Sequence, residues 1–325
     1  MTNTHKLDEF TNGFQISQEK GIELSIVTPF FNEEHALFAF CTCLRAALDN
    51  FKMRYEVIFV DDGSSDRSQE VLGSIEWPQC KILSLLHNVG HQTALEAGYS
   101  VAQGNWIASL DADLQHPPSV IQSLYDKAIS EELDVVYAVR TNRDEDTLFK
   151  RVTAKVFYRV IRWISGVAII PNAADFRIIS RRVLSIINQL PEEKVFRLLL
   201  PALGFRFGVV EFVANPRVAG SSKYSIKKMI GLALSGAIGF SLIPLRIASI
   251  CGMLLSFCGF LYMFYVLYCA WTDVSVSGWA SIIICILVIG GMQLFALGLL
   301  GEYVGRIFIA LKQRPRFIID SFISK

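Results

Sequence analysis

Carboxylates placed just after apolar runs are the residues of this chain best suited to chemistry. Asp111-Ala112-Asp113-Leu114-Gln115 follows the apolar run Asn105–Leu110. In an extended segment side chains at i, i+2 and i+4 project to one side, so Asp111, Asp113 and Gln115 can converge on a point. Three hard oxygen donors there suit Mg²⁺ or Mn²⁺, an ion that keeps positions open for phosphate oxygens and neutralises charge on a departing diphosphate. The competing reading is a surface turn with capping carboxylates before Pro117-Pro118. A second acidic segment, Val60-Asp61-Asp62-Gly63-Ser64-Ser65-Asp66, follows the run Tyr55–Phe59. Asp-Gly supplies a tight turn there and the serines or Asp66 can cap a helix, while Asp61 is also placed to accept from a base edge or a ribose hydroxyl. A third segment, Thr28-Pro29-Phe30-Phe31-Asn32-Glu33-Glu34, has the same position after the first apolar run.

The elements that must present these groups read as an alternation. Ile22–Thr28, Tyr55–Asp61, Lys81–Leu86, Asn105–Leu110 and Asp134–Val139 are β-rich, whereas Glu33–Lys52, Ser65–Ser74, Gln92–Gln103 and Pro117–Ser130 have helical length and spacing. This order predicts an α/β fold with a mostly parallel sheet and helices on both faces. Ligands of such sheets bind beyond the carboxyl ends of the strands, where the acids lie. A mixed basic segment runs from Arg140 to Arg182, and a further strand is expected around Gly208–Ala214.

The C-terminal part is of another kind. Ile247–Trp271 and Trp279–Gly301 contain no charged side chain. At about 1.5 Å per residue each is long enough for a hydrocarbon core of about 30 Å. Arg246 precedes the first, Arg306, Lys312, Arg314 and Arg316 follow the second, and the loop between them carries only Asp273. The positive-inside bias therefore puts both termini and the α/β domain in the cytoplasm, with a multi-pass hairpin in the inner membrane. Ahead of it, Lys223 to Pro244 has apolar positions at helical spacing and lysines at its start, which suits an amphipathic helix in the headgroup layer or a buried domain element. The resulting division is a tail (1–21), a catalytic α/β domain (22–222), an amphipathic juxtamembrane helix (223–244), two transmembrane helices (245–305) and a basic tail (306–325).

Composition agrees with a partly lipid-embedded protein: 325 residues, 52% apolar, mean hydropathy +0.39. A net charge of +1 argues against a nucleic-acid binder. The seven cysteines lack paired C-x-x-C spacing and read as reduced thiols. The first twenty residues lack the apolar core of a secretory signal.

T-P-F-F-N-E (28–33), V-D-D-G-S-S-D (60–66), H-N-V-G-H-Q (87–92) and D-A-D-L-Q-H-P-P (111–118) resemble, in order and spacing, the motifs of family 2 inverting glycosyltransferases. Phe149-Lys150-Arg151, Ala174-Asp175-Phe176-Arg177, Arg217 to Tyr224, Pro244-Leu245-Arg246 and Gly298 to Arg306 look like the narrower branch acting on polyprenyl phosphates, which includes dolichyl-phosphate mannose synthase-like enzymes and bactoprenol glucosyltransferases. The resemblance spans roughly residues 22 to 318. It implies a GT-A type fold and transfer of a sugar, with inversion, from a nucleotide-diphosphate donor, a UDP-sugar, to a polyprenyl phosphate. It further implies a nucleotide-sugar pocket formed by Pro29, Phe31, Glu33, Asp61, Asp111, Arg140 and Lys223, and an Mg²⁺ or Mn²⁺ held by Asp111, Asp113 and Gln115. Arg177, Arg217 and Lys223 would hold the acceptor phosphate, and Asp175 would be catalytic beside Asp111 and Asp113. Relatives assemble through membrane and juxtamembrane helices, which extends the expectation to a homo-oligomer. Two departures stand out: Ala174 replaces the usual Gly before the acid, and Arg197 is followed by Leu198 rather than Gly.

A lipid phosphate with a second pKa near 6 is mostly dianionic at neutral pH and already nucleophilic, so no strong base is required. Asp175 is then expected to orient the acceptor or its basic clamp. Two other functions share the acidic motifs. A processive polysaccharide synthase would carry Q-x-x-R-W, and the nearest match, Arg159-Val160-Ile161-Arg162-Trp163, lacks the Gln. A non-catalytic membrane protein would bind the nucleotide sugar without making product. A nicotinamide enzyme is opposed by the absence of G-x-G-x-x-G.

Overall fold

The structure, a computed structural model, describes residues 21–49, 51–141, 170, 173–190, 194–214, 243–272, 278–312 and 314–324. The expected β-rich runs form strands within two residues of their predicted limits: β1 Leu24–Phe30, β2 Tyr55–Asp61, β3 Cys80–Leu85, β4 Trp106–Ser109 and β5 Val135–Arg140. Every residue of β1 and β3 is buried, as expected of strands covered on both faces. The helices are α1 Leu37–Leu48, α2 Ser68–Ser74, α3 His91–Val101 and α4 Val120–Ser130. α1 and α2 begin later than expected, because the loops before them satisfy their backbone N–H groups with side chains of the neighbouring loop instead of a first helical turn.

Two strands were not foreseen. β6 (Ala173–Ser180) runs antiparallel between β4 and β5, within the segment read only as mixed and basic. β8 (Ile319–Ser324) runs antiparallel along β3, inside the stretch expected to be a basic tail. With β7 (Phe207–Phe212) the sheet has the order β7-β5-β6-β4-β1-β2-β3-β8, and the pairs among β1 to β4 are all parallel. α5 (Arg181–Gln189) and α6 (Phe196–Ala202) complete this unit.

α3 lies directly on the sheet centre. A Cβ at Gly98 would stand 2.4 Å from Val27 Cγ1 and 2.8 Å from Val60 Cγ2, so only a glycine lets the helix approach β1 and β2 this closely. At the opposite end of the strands from the acids, Glu56 is buried and accepts from Ser25 Oγ, from the Gln103 backbone N–H (2.7 Å) and from Lys81 Nζ (2.8 Å), so its charge is both paired and hydrogen-bonded.

The chain divides into two compact units, one holding the whole sheet including β8 and the other holding two long helices, α7 (Ile243–Trp271) and α8 (Trp279–Leu311). Both are long and apolar enough to cross a membrane, over Ala248–Tyr265 and Val288–Ile309. Met253, Leu254, Phe257, Leu294 and Phe295 are all more than half exposed, an apolar surface that water does not tolerate on this scale. α8 continues ten residues past the expected end at Gly301, with Glu302 and Arg306 paired along it at 3.1 Å. The expected amphipathic helix lies almost wholly outside the described residues.

Candidate active site

The strand register brings the motifs to one edge. Phe30 pairs with Asp61 at the ends of β1 and β2, and Ser109 ends β4 opposite Val27. The loops following β1 and β2 are then stitched together: Ser64 Oγ accepts from Asn32 N–H (3.0 Å), Ser68 Oγ from Glu33 N–H (2.9 Å), Asp66 from Glu34 N–H (3.1 Å), and Asn32 Oδ1 from Ser65 N–H (2.8 Å). These contacts explain the T-P-F-F-N-E and D-D-G-S-S-D motifs as one reciprocal structure. Within it Pro29 is buried, Phe31 is exposed and Glu33 is half-buried.

Asp61 is fully buried and accepts from Ser64 N–H (2.9 Å) and from Gln69 Nε2. Asp62 accepts from Val89 N–H (2.8 Å) and Gly90 N–H (3.0 Å), fixing the turn that opens α3. Burial pushes the Asp62 carboxyl up, against those two N–H bonds. Gly63, at φ +70°, passes so close to this turn that a Cβ would lie 2.7 Å from Asn88 N.

The D-x-D segment is not extended. β4 ends at Ser109 and the chain turns, with Leu114 at φ 60°. The carboxylates of Asp111 and Asp113 meet across this turn, so the i, i+2, i+4 geometry expected for Gln115 does not apply. Gln115 is buried, and its backbone N–H donates to Asp113 Oδ1 (3.1 Å). The side chain that joins the two acids is His116: Asp111, Asp113 and His116 each offer an atom within 4.8 Å of the others.

Arg140 from the end of β5 places a guanidinium nitrogen 3.0 Å from His116 Nε2. A guanidinium only donates, so Nε2 is the acceptor of that contact, while Nδ1 lies 3.3 Å from the Asp111 backbone N–H and 3.7 Å from Asp111 Oδ2. Burial lowers the His116 pKa, with Arg140 acting in the same direction, and the ring is enclosed by Phe176 and Phe212 at 5.4 and 5.8 Å. His116 is therefore a neutral wall behind Asp111. Asp111 Oδ1, by contrast, is buried and accepts no hydrogen bond, with His91 Nε2 3.4 Å away, a carboxylate oxygen that fits a cation better than an apolar contact. Among the described residues this Asp-x-Asp group is the one with donors suited to a divalent ion.

The antiparallel course of β6 supplies the other acid. Ser109 pairs with Arg177, so Asp175 lies two residues beyond, level with Asp111, and Ser109 Oγ donates to its carbonyl (3.3 Å). The Asp175 carboxylate is paired with the Arg177 guanidinium and lies 3.3 Å from Arg197 Nη2. Burial alone would raise its pKa, but Arg177 and Arg197, with His91 further off, hold it well below the usual carboxylate range. Arg177 is 1% exposed and is spent on Asp175, whereas the Arg197 side chain is 36% exposed. His91, the first residue of α3, stands between the acids with Nε2 3.4 Å from Asp111 Oδ1 and 3.9 Å from Asp175 Oδ2.

Of the residues expected at the site, Pro29, Phe31, Glu33, Asp61, Asp111, Asp113, Gln115 and Arg140 lie on or after the carboxyl ends of β1, β2, β4 and β5, and Asp175 and Arg177 lie within the antiparallel β6. Arg217 and Lys223 lie outside the described residues. His91 and His116 were not among the expected site residues, and Arg197 was noted only as the first member of a departing Arg-Gly pair. The first two sit inside quoted motifs, and that position was their only signal.

The profile described as "Glycosyl transferase family 2" matches residues 25–190, and that described as "GtrB C-terminal hairpin" matches residues 243–307. A Bacillus subtilis (strain 168) protein described as "Uncharacterized glycosyltransferase YkcC" is 43% identical over 303 residues, 92% of this chain and 94% of that protein. The "SfII prophage-derived bactoprenol glucosyl transferase" of Shigella flexneri is 37% identical over 308 residues, 92% of this chain and 97% of its own length. The "Prophage bactoprenol glucosyl transferase homolog" of Escherichia coli (strain K12) is 36% identical over 302 residues, 92% and 98%.

Proposed function

We infer the reaction from a premise the preceding matches supply: the chain belongs to glycosyltransferase family 2 and carries a GtrB-type C-terminal hairpin. It transfers a sugar, glucose by the names of its relatives, from a nucleotide-diphosphate donor to a polyprenyl phosphate. The donor we assign is UDP-glucose. The observation that carries this reading is the placing of Asp111 and Asp113 beside an Asp175 that two arginines hold as an anion.

The acceptor phosphate is mostly dianionic above its second pKa of about 6, so one of its oxygens attacks the anomeric carbon directly. The new bond is phosphate oxygen to C1, the bond broken is C1 to the donor diphosphate, and attack opposite the leaving group inverts the centre. No proton has to be removed, and Asp175, depressed far below neutrality, is unfit to remove one. Its carboxylate instead fixes Arg197, whose exposed edge we assign to the acceptor phosphate. Arg177 is too deeply buried to reach a substrate, so its contribution passes through Asp175. The sequence adds Arg217 and Lys223 as further phosphate contacts.

Asp111 and Asp113 hold an Mg²⁺ or Mn²⁺ in this reading, with His116 and Arg140 fixing the Asp111 side of the turn. Such an ion supplies charge neutralisation on the departing diphosphate. Asp61, fully buried and held by Ser64 and Gln69, would shape the nucleotide loop from beneath. Phe31, which follows the Asp61 register partner Phe30, is exposed and offers an apolar face to the base.

The acceptor's chain belongs in lipid, which suits the two apolar helices. The chain leaves the sheet unit before α7 and re-enters it at Pro315 for β8, so an even number of crossings would be required, and two helices among the described residues are long and apolar enough to make them. Arg246, Arg306, Lys312 and Arg314 at the outer ends of the helices favour the cytoplasmic side of an inner membrane. Incubating purified protein with undecaprenyl phosphate and a panel of UDP- and GDP-sugars, then weighing the lipid, tests the reading. We expect one hexosyl added from UDP-glucose and release of UDP; nucleotide binding with no lipid product from any donor would contradict it.

A further inference from the structure

One buried acid lies outside the chemistry described above. Glu96, on the second turn of α3, is 8% exposed. Lys194 Nζ reaches its Oε1 at 2.5 Å, and Arg316 Nη1 lies 3.1 Å from Oε2 and 3.4 Å from Oε1. The two cations come from distant parts of the chain: Lys194 just before α6, and Arg316 from the segment that leads into β8.

Glu96 belongs to a single face of α3. Gln92, Glu96 and Tyr99 are spaced i, i+4 and i+7, and all three hold the same neighbouring segment. Gln92 Oε1 accepts from the Phe196 backbone N–H (3.2 Å), Glu96 pairs with Lys194, and the Tyr99 ring meets the Phe196 ring edge-on with centroids 5.1 Å apart. Residues 194–196 so fastened lead directly to Arg197, which contacts Asp175. The Arg177 guanidinium lies over the same Phe196 ring at 5.9 Å. Both arginines that hold Asp175 are thus set by a segment that α3 grips, and α3 itself begins at His91 between Asp175 and Asp111.

A buried charge cluster is a weak device for stability, since apolar side chains of similar volume do as well. It does discriminate sharply against any arrangement that leaves one member unpaired. Glu96 satisfies both cations only when the 194–197 segment and the return segment are seated together.

We propose that Glu96 is a positioning residue of the transferase: it sets Arg197 and Asp175 through Lys194, and makes that setting depend on docking of the C-terminal return segment through Arg316. The inference rests on the polyprenyl-phosphate transferase reading above. A misplacement of about 1 Å at a reacting centre can cost about a hundredfold in rate, so a group remote from the substrates has this leverage. The nucleotide loop and the D-x-D turn meet α3 at its start, through Asp62 and His91, rather than at Glu96, so donor binding should be nearly indifferent to Glu96.

The test compares full-length Glu96→Gln, Arg316→Gln and Arg316→Lys proteins in undecaprenyl-phosphate proteoliposomes with UDP-glucose. Glu96→Gln and Arg316→Gln are expected to lower kcat at least about tenfold while KM for UDP-glucose stays within about threefold, and Arg316→Lys to recover part of the loss. In an Asp175→Asn background Glu96→Gln should cost no more than about twofold further, because residues acting through one group are not additive. Loss of soluble, folded Glu96→Gln leaves the Arg316 pair to decide, since Arg316→Gln keeps the Glu96–Lys194 contact. Unchanged kcat in Arg316→Gln, or full additivity with Asp175→Asn, overturns the proposal while transfer by the unmodified chain stands. Absence of transfer by the unmodified chain overturns the reading beneath it and this inference with it.

Discussion

At the scale of single residues, the site separates charge by environment. Asp175 is held as an anion by Arg177 and Arg197 despite its burial. Its folded pKa lies below the ordinary value of about 3.9, so the unfolded chain takes up the proton first. The stabilising contribution is then full above about pH 4 and is lost as pH falls further. Asp175 therefore does not titrate where the enzyme works. The acid limb of transfer should come from the acceptor phosphate near pH 6, and Asp175→Asn should lower kcat by about a hundredfold yet leave that limb in place. A pH profile of the variant in which the limb disappears would give Asp175 the proton-accepting role denied it here. Asp61, Asp111 and Asp113 were legible because each follows an apolar run of strand length. His91 and His116 were not, because their partners Asp175 and Arg140 arrive from β6 and β5, and a lone histidine carries no periodic pattern. At Gln115 the strand geometry no longer holds: once the chain turns after Asp111 the i+4 position no longer shares a side with it.

At the scale of elements, the parallel core β1 to β4 was readable because buried strands alternate with helices of regular length. β6 and β8 were hidden for a common reason, that antiparallel strands are joined by no fixed crossover and so leave no alternation to detect. β6 also mixes Asp175 and Arg177 into its apolar sequence, and β8 follows a run of basic residues that dominates its appearance. α3 carries most of the positional information, and its contact with β1 and β2 is made at Gly98. Gly98→Ala forces the helix away from Val27 and Val60 and should destabilise the protein by about 1–3 kcal/mol, read from thermal unfolding. Transfer should fall more than stability explains, because His91 moves with the helix; a variant with unchanged melting and rate would refute this placement. Ending the chain at Pro315 removes β8 and Arg316 together and uncovers the edge of β3. Loss of both solubility and turnover is expected, measured by gel filtration and product formation.

At the scale of the whole molecule, the two apolar helices interrupt a sheet unit that is completed only after them. A basic tail had been expected where β8 and Arg316 stand, since both the hydropathy pattern and the charge count treat this stretch as a flank of the membrane segment. The connectivity predicts that both outer ends of the hairpin face the side of the sheet. In cysteine-substituted variants, Ser275→Cys should react with an impermeant thiol reagent in intact cells and Arg314→Cys only after permeabilisation. Equal labelling of the two would dismiss the hairpin topology. The central claim, a cation-assisted transfer from a nucleotide sugar to a lipid phosphate, has a more direct test. Purified protein is given UDP-glucose, undecaprenyl phosphate and Mg²⁺ or Mn²⁺, with and without EDTA, and the lipid is weighed. The account predicts a glucosyl lipid phosphate that is absent with EDTA and from Asp111→Asn and Asp113→Asn proteins. Product formed equally with EDTA and by both variants would contradict it.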